Sequence, residues 1–254
     1  MRNIKLTLEY EGTNFCGWQT QKVRSQKSEV RSQRRTVQET LENALKRILN
    51  EKIKLIGSGR TDSGAHALGQ VANFKTNSRL SVADIKRALN AVLPADIAIK
   101  KIEEAPSDFH SRFDVKSKIY RYTILNSPIR SVMQRNFYYF YPYKLNLNAM
   151  RQAARLLLGR KDFKSFQVSD KRYRSSKRHI KNISLKKEGN FINFDIEADG
   201  FLYKMVRSIV GTLMEVGQGK LKPKDLQKIL IQKNRKFAGP TVPAKGLTLV
   251  KVIY

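Results

Sequence analysis

Cysteine is almost absent from this chain of 254 residues: Cys16 is the one thiol. The monomer can therefore close no internal disulfide and build no multi-cysteine zinc site. Histidine is scarce as well, and His66, His110 and His179 stand apart without metal-ligand spacing, so no metal is expected. No stretch approaches the roughly 18 unbroken apolar residues of a membrane span. The opening Met1-Arg-Asn-Ile-Lys-Leu-Thr-Leu alternates charged and apolar residues and leaves no place for the apolar core of a secretory signal. A cytoplasmic protein with no membrane partner is the expectation. Acidic residues are the other shortage: 21 Asp and Glu face 50 Lys and Arg, for a formal charge of +29 and a pI near 10.3. That excess calls for an anionic partner. Nucleic acid comes first, because each phosphate neutralised by Lys or Arg releases condensed counterions. An acidic membrane comes second, because the basic residues are spread along the chain and not gathered on one amphipathic helix.

What is present, 41% hydrophobic residues, suffices for one large domain or two smaller ones with real cores. Ile4, Leu6, Leu8 and Tyr10 alternate with polar residues, the period of a half-buried strand, and Glu11-Gly12-Thr13-Asn14 ends it. Thr36-Val-Gln-Glu39 reads as a capping box, and Val37, Leu41, Ala44, Leu45 and Ile48 share the helical face that follows. Between them, Lys22 to Arg35 carries six basic residues among Ser and Gln and reads as a mobile basic loop, either touching phosphates or solvated and inert. Gln70 to Phe74 predicts a strand, Ser81-Val-Ala-Asp84 a second capped helix closed by Pro94, and Ile119 to Leu125 a strand with Tyr120, Tyr122 and Ile124 on one face. Further on come a helix from about Asn148 to Leu158, strands near Ile183 and over Ile192 to Ile196, and an apolar helix from about Leu202. A short helix over Leu226 to Ile231 and a terminal strand, Leu247 to Tyr254, complete the chain. The simplest architecture is α+β: two similar halves, residues 1–105 and 106–254, sharing a central, mainly antiparallel sheet with helices packed on it.

The densest candidate for chemistry is Gly57-Ser-Gly-Arg60-Thr-Asp62-Ser-Gly64-Ala-His66, where glycines let a loop turn around one carboxylate and one guanidinium. It fails the phosphate-loop pattern, because Asp62-Ser63 stands where Gly-Lys is needed, and it fails the dinucleotide fingerprint at Asp62. An Asx turn is the plain alternative. The functional reading gains because a basic protein without a metal cluster or a Ser-His-Asp order must work with carboxylate, Tyr and Arg. Farther along, Lys204, Arg207, Ser208 and Gly211 form a polar and small stripe at helical spacing, opposite the apolar Leu202, Met205, Val206, Ile209 and Leu213. Arg207 is then either a solvated surface residue or a guanidinium holding a carboxylate ionised. Phe109-His-Ser-Arg112-Phe113 and the basic stretch Lys171 to Lys181 are candidate RNA-facing surfaces or ordinary surface charge. Cys16 reads as a packed small residue.

Tyr10-Glu-Gly-Thr13, Gly17-Trp-Gln19, Thr36-Val-Gln38, Gly59-Arg-Thr-Asp62, Gly69-Gln-Val71, Ala88-Leu-Asn90 and Arg112-Phe113, in this order, resemble the tRNA pseudouridine synthase A family. Tyr120-Arg-Tyr122, Asp162-Phe163, Ser165-Phe166, Phe201-Leu-Tyr203, Met205-Val-Arg207, Val210-Gly211 and Ala244-Lys-Gly-Leu247 extend the likeness over essentially the whole chain. The resemblance implies the pseudouridine synthase fold with its catalytic cleft between the halves. It implies a cofactor-free enzyme that isomerises uridines on the 3′ side of the tRNA anticodon arm, and a homodimer with RNA lying across both subunits. It implies that Asp62 is the catalytic aspartate, that Arg60 acts beside the flipped nucleotide, that Arg207 is the basic partner of the aspartate, and that Tyr120 lies under the target uracil. Arg112 and Leu247 are the further residues expected to bind substrate. The chemistry agrees: a uridine stacked in a duplex must be extruded to be reached, and an aromatic face replaces its lost stacking. The 22–35 insertion is longer than the family pattern and leaves the range of RNA substrates open. The rival reading is a non-catalytic basic RNA-binding or RNA-chaperone protein that kept the fold.

Overall fold

The structure, a computed structural model, describes residues 1–19, 35–168 and 175–254. The expected basic loop lies outside the described residues except for Arg35, and so do positions 171–174 of the basic stretch that ends at Lys181. The chain divides into two compact units, Met1–Lys116 with Leu249–Tyr254, and Ser117–Thr248. Among the described residues no helix is long and apolar enough to cross a membrane.

In the first unit, β1 (Arg2–Tyr10) buries Ile4, Leu6, Leu8 and Tyr10 on alternate positions, as its period predicts. Helix α1 (Val37–Leu49) begins where Thr36 Oγ1 accepts the Glu39 N–H at 3.3 Å, and its inward stripe is Val37, Leu41, Ala44, Leu45 and Leu49. The short β2 (Ile56–Gly57) pairs with β3 (His66–Thr76), which is buried on both faces and runs farther than its apolar centre suggested. Helix α2 (Val82–Val92) is capped by Ser81. Then comes β4 (Ile97–Ala105), which the sequence pattern did not announce. The reason is a β-bulge: Thr7 faces Lys101 and Leu8 faces Ile99, so Lys100 is skipped and the two-residue period breaks. The order β4-β1-β3 is antiparallel throughout, and β10 (Leu247–Ile253) follows β3.

The second unit is also α+β. Its antiparallel order is β5 (Ser117–Asn126), β9 (Phe191–Ala198), β8 (Lys177–Glu188), β7 (Gly159–Asp162), with β6 (Tyr139–Tyr141) parallel beside β5. Tyr120, Tyr122 and Ile124 do share the buried face of β5. Helix α3 (Leu147–Arg155) ends sooner than its pattern suggests, with Gly159 turning the chain at φ +88°. Helix α4 (Met205–Gly217) starts three residues later than expected, because Lys204 takes the left-handed conformation at φ 59°. Helix α5 (Asp225–Gln232) completes the unit. α4 packs against α3 and β5 and is buried nearly all round, Ser208 and Thr212 included. Of the stripe read as polar and small, Ser208 and Gly211 face protein, a Cβ at Gly211 falling 1.8 Å from the Pro240 carbonyl oxygen, while Arg207 is half-buried and Lys204 precedes the helix.

Candidate active site

The loop that carries Arg60 and Asp62 is held from three sides within the first unit. From β3, the Gln70 amide donates to the Gly59 carbonyl at 3.0 Å while its oxygen accepts the Ser58 hydroxyl at 2.6 Å, Ser58 and Gln70 both being fully buried. From β1, the Tyr10 hydroxyl meets Thr61 Oγ1 at 2.7 Å. Burial pushes the Tyr10 phenol above its ordinary range, and bonds to Thr61 and Gln70 only partly offset this, so Tyr10 stays neutral. From the turn after β1, the Phe15 carbonyl accepts the Gly64 N–H and the Ser63 hydroxyl, and the Trp18 N–H donates to the Thr61 carbonyl.

Close packing completes the clamp. The Trp18 indole lies on Gly57, where a Cβ would come within 2.4 Å of the ring. Gly12 passes so near Ala65 that a Cβ would sit 1.9 Å from its carbonyl oxygen, and the Gly12 N–H donates to Nδ1 of the buried His66 at 2.9 Å. Burying an aromatic side chain contributes roughly 1.5–3 kcal/mol, and Phe15 and Trp18 are both 2% exposed. The loop thus rests on a packed support, while Asp62 remains half-buried and Arg60 exposed. Asp62 does close a turn, its carbonyl accepting the Ala65 N–H at 3.1 Å, but that turn uses the backbone oxygen and not the carboxylate.

Arg35, assigned to the mobile basic loop, is a correction. It pairs with Asp96 at 2.7 Å and its guanidinium lies 4.8 Å from the Phe15 ring centre. An ion pair and a cation–π contact anchor it as part of the support.

Arg112 belongs to the same unit. Ser111 is fully buried: its N–H donates to Asn73 Oδ1 at 3.0 Å and its hydroxyl to the Ile56 carbonyl, just ahead of the Asp62 loop. Asn3 ties the segment down through the Pro106 and Phe109 carbonyls. Arg112 is left exposed beside Phe113, itself 75% exposed and stacked on His110 with ring centres 4.2 Å apart.

The second unit holds Tyr120 on β5, Arg207 on α4 and Leu247 at the start of β10. Tyr120 is 7% exposed and meets the Phe201 ring edge-on at 5.1 Å. Two residues on, the Tyr122 hydroxyl donates to the Pro243 carbonyl at 2.8 Å. Arg207 Nε donates to the Val242 carbonyl at 2.7 Å, and the Val242 N–H returns a bond to the Arg207 carbonyl. Burial raises the Tyr122 pKa, and the positive charge of Arg207 opposes the shift. Gly246 lies against the Tyr122 ring, where a Cβ would meet it at 2.8 Å, and Leu247 follows, buried, at the start of β10. Arg207 is therefore neither a solvated surface residue nor loosely held. The supporting roles of Tyr122, Val242 and Pro243 were not visible in sequence, because main-chain carbonyls leave no trace in residue type.

Among the described residues no group of three His, Cys, Asp or Glu could hold a metal ion. The sequence matches the family described as tRNA pseudouridine synthase over residues 7–114 and 153–254. Relatives match from end to end. The tRNA pseudouridine synthase A of Acetivibrio thermocellus is 47% identical over 254 residues, covering 100% of each chain. That of Clostridium acetobutylicum is 48% identical and that of Caldicellulosiruptor bescii 46%, with the same coverage. A looser likeness, with TM-score 0.34 and 13% identity over 93% of this chain and 60% of the other, is to the crystal structure of the archaeal box H/ACA sRNP Nop10-Cbf5 complex.

Proposed function

The chain belongs to the tRNA pseudouridine synthase family, and from that premise we propose that it isomerises uridine to pseudouridine on the 3′ side of the tRNA anticodon arm. The observation that carries this reading is the Asp62 loop, a carboxylate on a backbone fixed by buried partners. Isomerisation breaks the N1–C1′ bond, turns the uracil and joins C5 to C1′; the C5 proton leaves and N1 gains one. Asp62 serves as nucleophile and then as acceptor of the C5 proton. Tyr120 supplies the face under the extruded uracil, Arg60 acts beside the flipped nucleotide, and Arg207 is the basic partner of the aspartate. Arg112 and Leu247 contact the substrate. The reaction is redox-neutral and rearranges atoms already in the substrate, so the proposal includes no cofactor. It also includes a homodimer working in the cytoplasm, with the catalytic loop in the N-terminal half, residues 1–105.

The deciding experiment is tritium release from tRNA carrying 5-tritiated uridine. Pseudouridine formation liberates that label; a non-catalytic RNA-binding protein of the same fold binds the RNA and leaves the label in place.

A further inference from the structure

A cavity of about 480 Å³ in the second unit lies outside every role assigned above. One wall is the aromatic pair Tyr138 and Phe140, a second is the loop after β5 with Arg130 and Arg135, and Lys245 closes it from the turn Ala244–Gly246. The loop is built and not merely draped. Tyr138 is 2% exposed, donates its hydroxyl to the Ser131 carbonyl and meets Phe191 edge-on at 5.7 Å. The Phe137 N–H closes a turn on the Gln134 carbonyl at 2.8 Å, with Gln134 itself at φ 56°. No acidic residue lines the cavity, and none occurs from Val115 to Lys161.

Three exposed cations around an aromatic recess select a ligand with a negative charge and a flat body. The volume falls within the range of about 300–1,000 Å³ of small-molecule pockets, room for one nucleotide and not for a duplex. We propose that this cavity takes a single unpaired nucleotide of the substrate RNA other than the reacting uridine, its phosphate on Arg130, Arg135 and Lys245 and its base against Phe140. The assignment rests on the tRNA reading above. A second copy of the chain is the competing occupant, since Ile129, Val132 and Met133 are 78%, 63% and 75% exposed on the same loop. A two-fold interface centred there, however, sets Arg130 and Arg135 against their own copies within a stretch, Val115 to Lys161, that carries no acidic residue.

The test uses the full chain with fluorescein-labelled tRNA and two variants at exposed positions, the double variant Arg130→Gln/Arg135→Gln and the cavity-filling Val132→Trp. The double variant is expected to raise the Kd for tRNA about tenfold and to flatten the slope of log affinity against log salt by roughly 0.7–0.9 for each phosphate no longer neutralised. Val132→Trp is expected to raise Kd comparably with every cation in place. Tritium release at saturating tRNA should stay within about twofold of wild type in both, because these groups position the RNA and not the uracil. An unchanged Kd and slope in the double variant overturns the proposal. So does wild-type affinity in Val132→Trp, which would make the cations a diffuse field and the cavity irrelevant. A loss of dimer in sedimentation without loss of tRNA affinity assigns the face to a second copy and overturns it too. A wild type that binds tRNA but releases no tritium sinks the catalytic reading alone, since the binding measurements still decide the cavity.

Discussion

The Asp62 loop and helix α4 each carry a residue to which the proposed reaction assigns a role, and they are held in opposite ways. The loop has almost no regular structure of its own; buried side chains of β1 and β3 and the close approaches at Gly12 and Gly57 define its path. Arg207 rides on a 13-residue helix buried on nearly all sides, and only its guanidinium needs a further partner, the Val242 carbonyl. A loop positioned by a few directional bonds fails when one of them is removed. A side chain on a packed helix fails only when the helix moves or the side chain itself changes.

The largest effect that sharpens this contrast is Asp62→Asn, which is expected to cost about 10⁴-fold or more in tritium release while tRNA binding persists. Turnover within tenfold of wild type would remove Asp62 from the chemistry. Next comes a matched pair of glycine substitutions. Gly12→Ala drives a methyl into the Ala65 carbonyl, three residues past Asp62, and Gly211→Ala drives one into the Pro240 carbonyl on α4. Overpacking of this kind costs roughly 1–3 kcal/mol, so both variants should melt several degrees lower in calorimetry. The contrast predicts that Gly12→Ala also loses kcat out of proportion to its stability, whereas Gly211→Ala keeps most of its turnover below its melting range. Equal kcat losses would break the comparison.

A smaller effect is expected at Tyr120. Leu removes a stacking face worth about 1–3 kcal/mol and Phe keeps it, so the Leu variant should bind tRNA more weakly than the Phe variant. If Phe binds well but turns over slowly, the hydroxyl takes part in proton transfer; if Phe binds as poorly as Leu, Tyr120 does not stack on the base.

Least at neutral pH is Tyr10→Phe, which removes one buried hydrogen bond to Thr61, roughly 0.5–1.5 kcal/mol. Its signature is alkaline. Burial holds the Tyr10, Tyr122 and Tyr254 phenols above their unfolded value near 10. Above that value the unfolded chain gives up protons that the folded one keeps. The stability these groups contribute is therefore whole below about pH 10 and is lost as pH rises toward the folded values. Denaturant titrations from about pH 9 to 11 should show stability falling less steeply in Tyr10→Phe than in wild type. Identical slopes would mean that Tyr10 is not held neutral by the fold.

The elements legible in the chain are those whose period and caps agree. β1, α1, α2, β5 and β9 announce themselves through alternation or an inward stripe, and Thr36 and Ser81 mark the helix starts. β4 was hidden by the bulge that skips Lys100. β6 was hidden because three aromatic residues in a row carry no alternation and pair parallel with a strand more than a dozen residues back. Asp62 and Arg60 stood out by composition, since glycines around a carboxylate are a local signal. What grips them is not local: Tyr10 reaches Thr61 from 51 residues away, and Trp18 lies on Gly57.

The sequence by itself determined the charge that selects an anionic partner, the strands and helices with a clear period, and the residue types available for chemistry. Each of these depends on neighbours in the chain. Tertiary structure alone decided that Ser208 and Gly211 of α4 are closed to solvent and that Gly211 seats the segment around Pro240. It also decided that Arg35 is an anchor and not a free cation, and that Arg207 is oriented by a main-chain oxygen. The physical reason is the same in all three. Which groups approach within hydrogen-bond or van der Waals distance depends on packing between distant segments, and a carbonyl is present at every residue whatever its side chain.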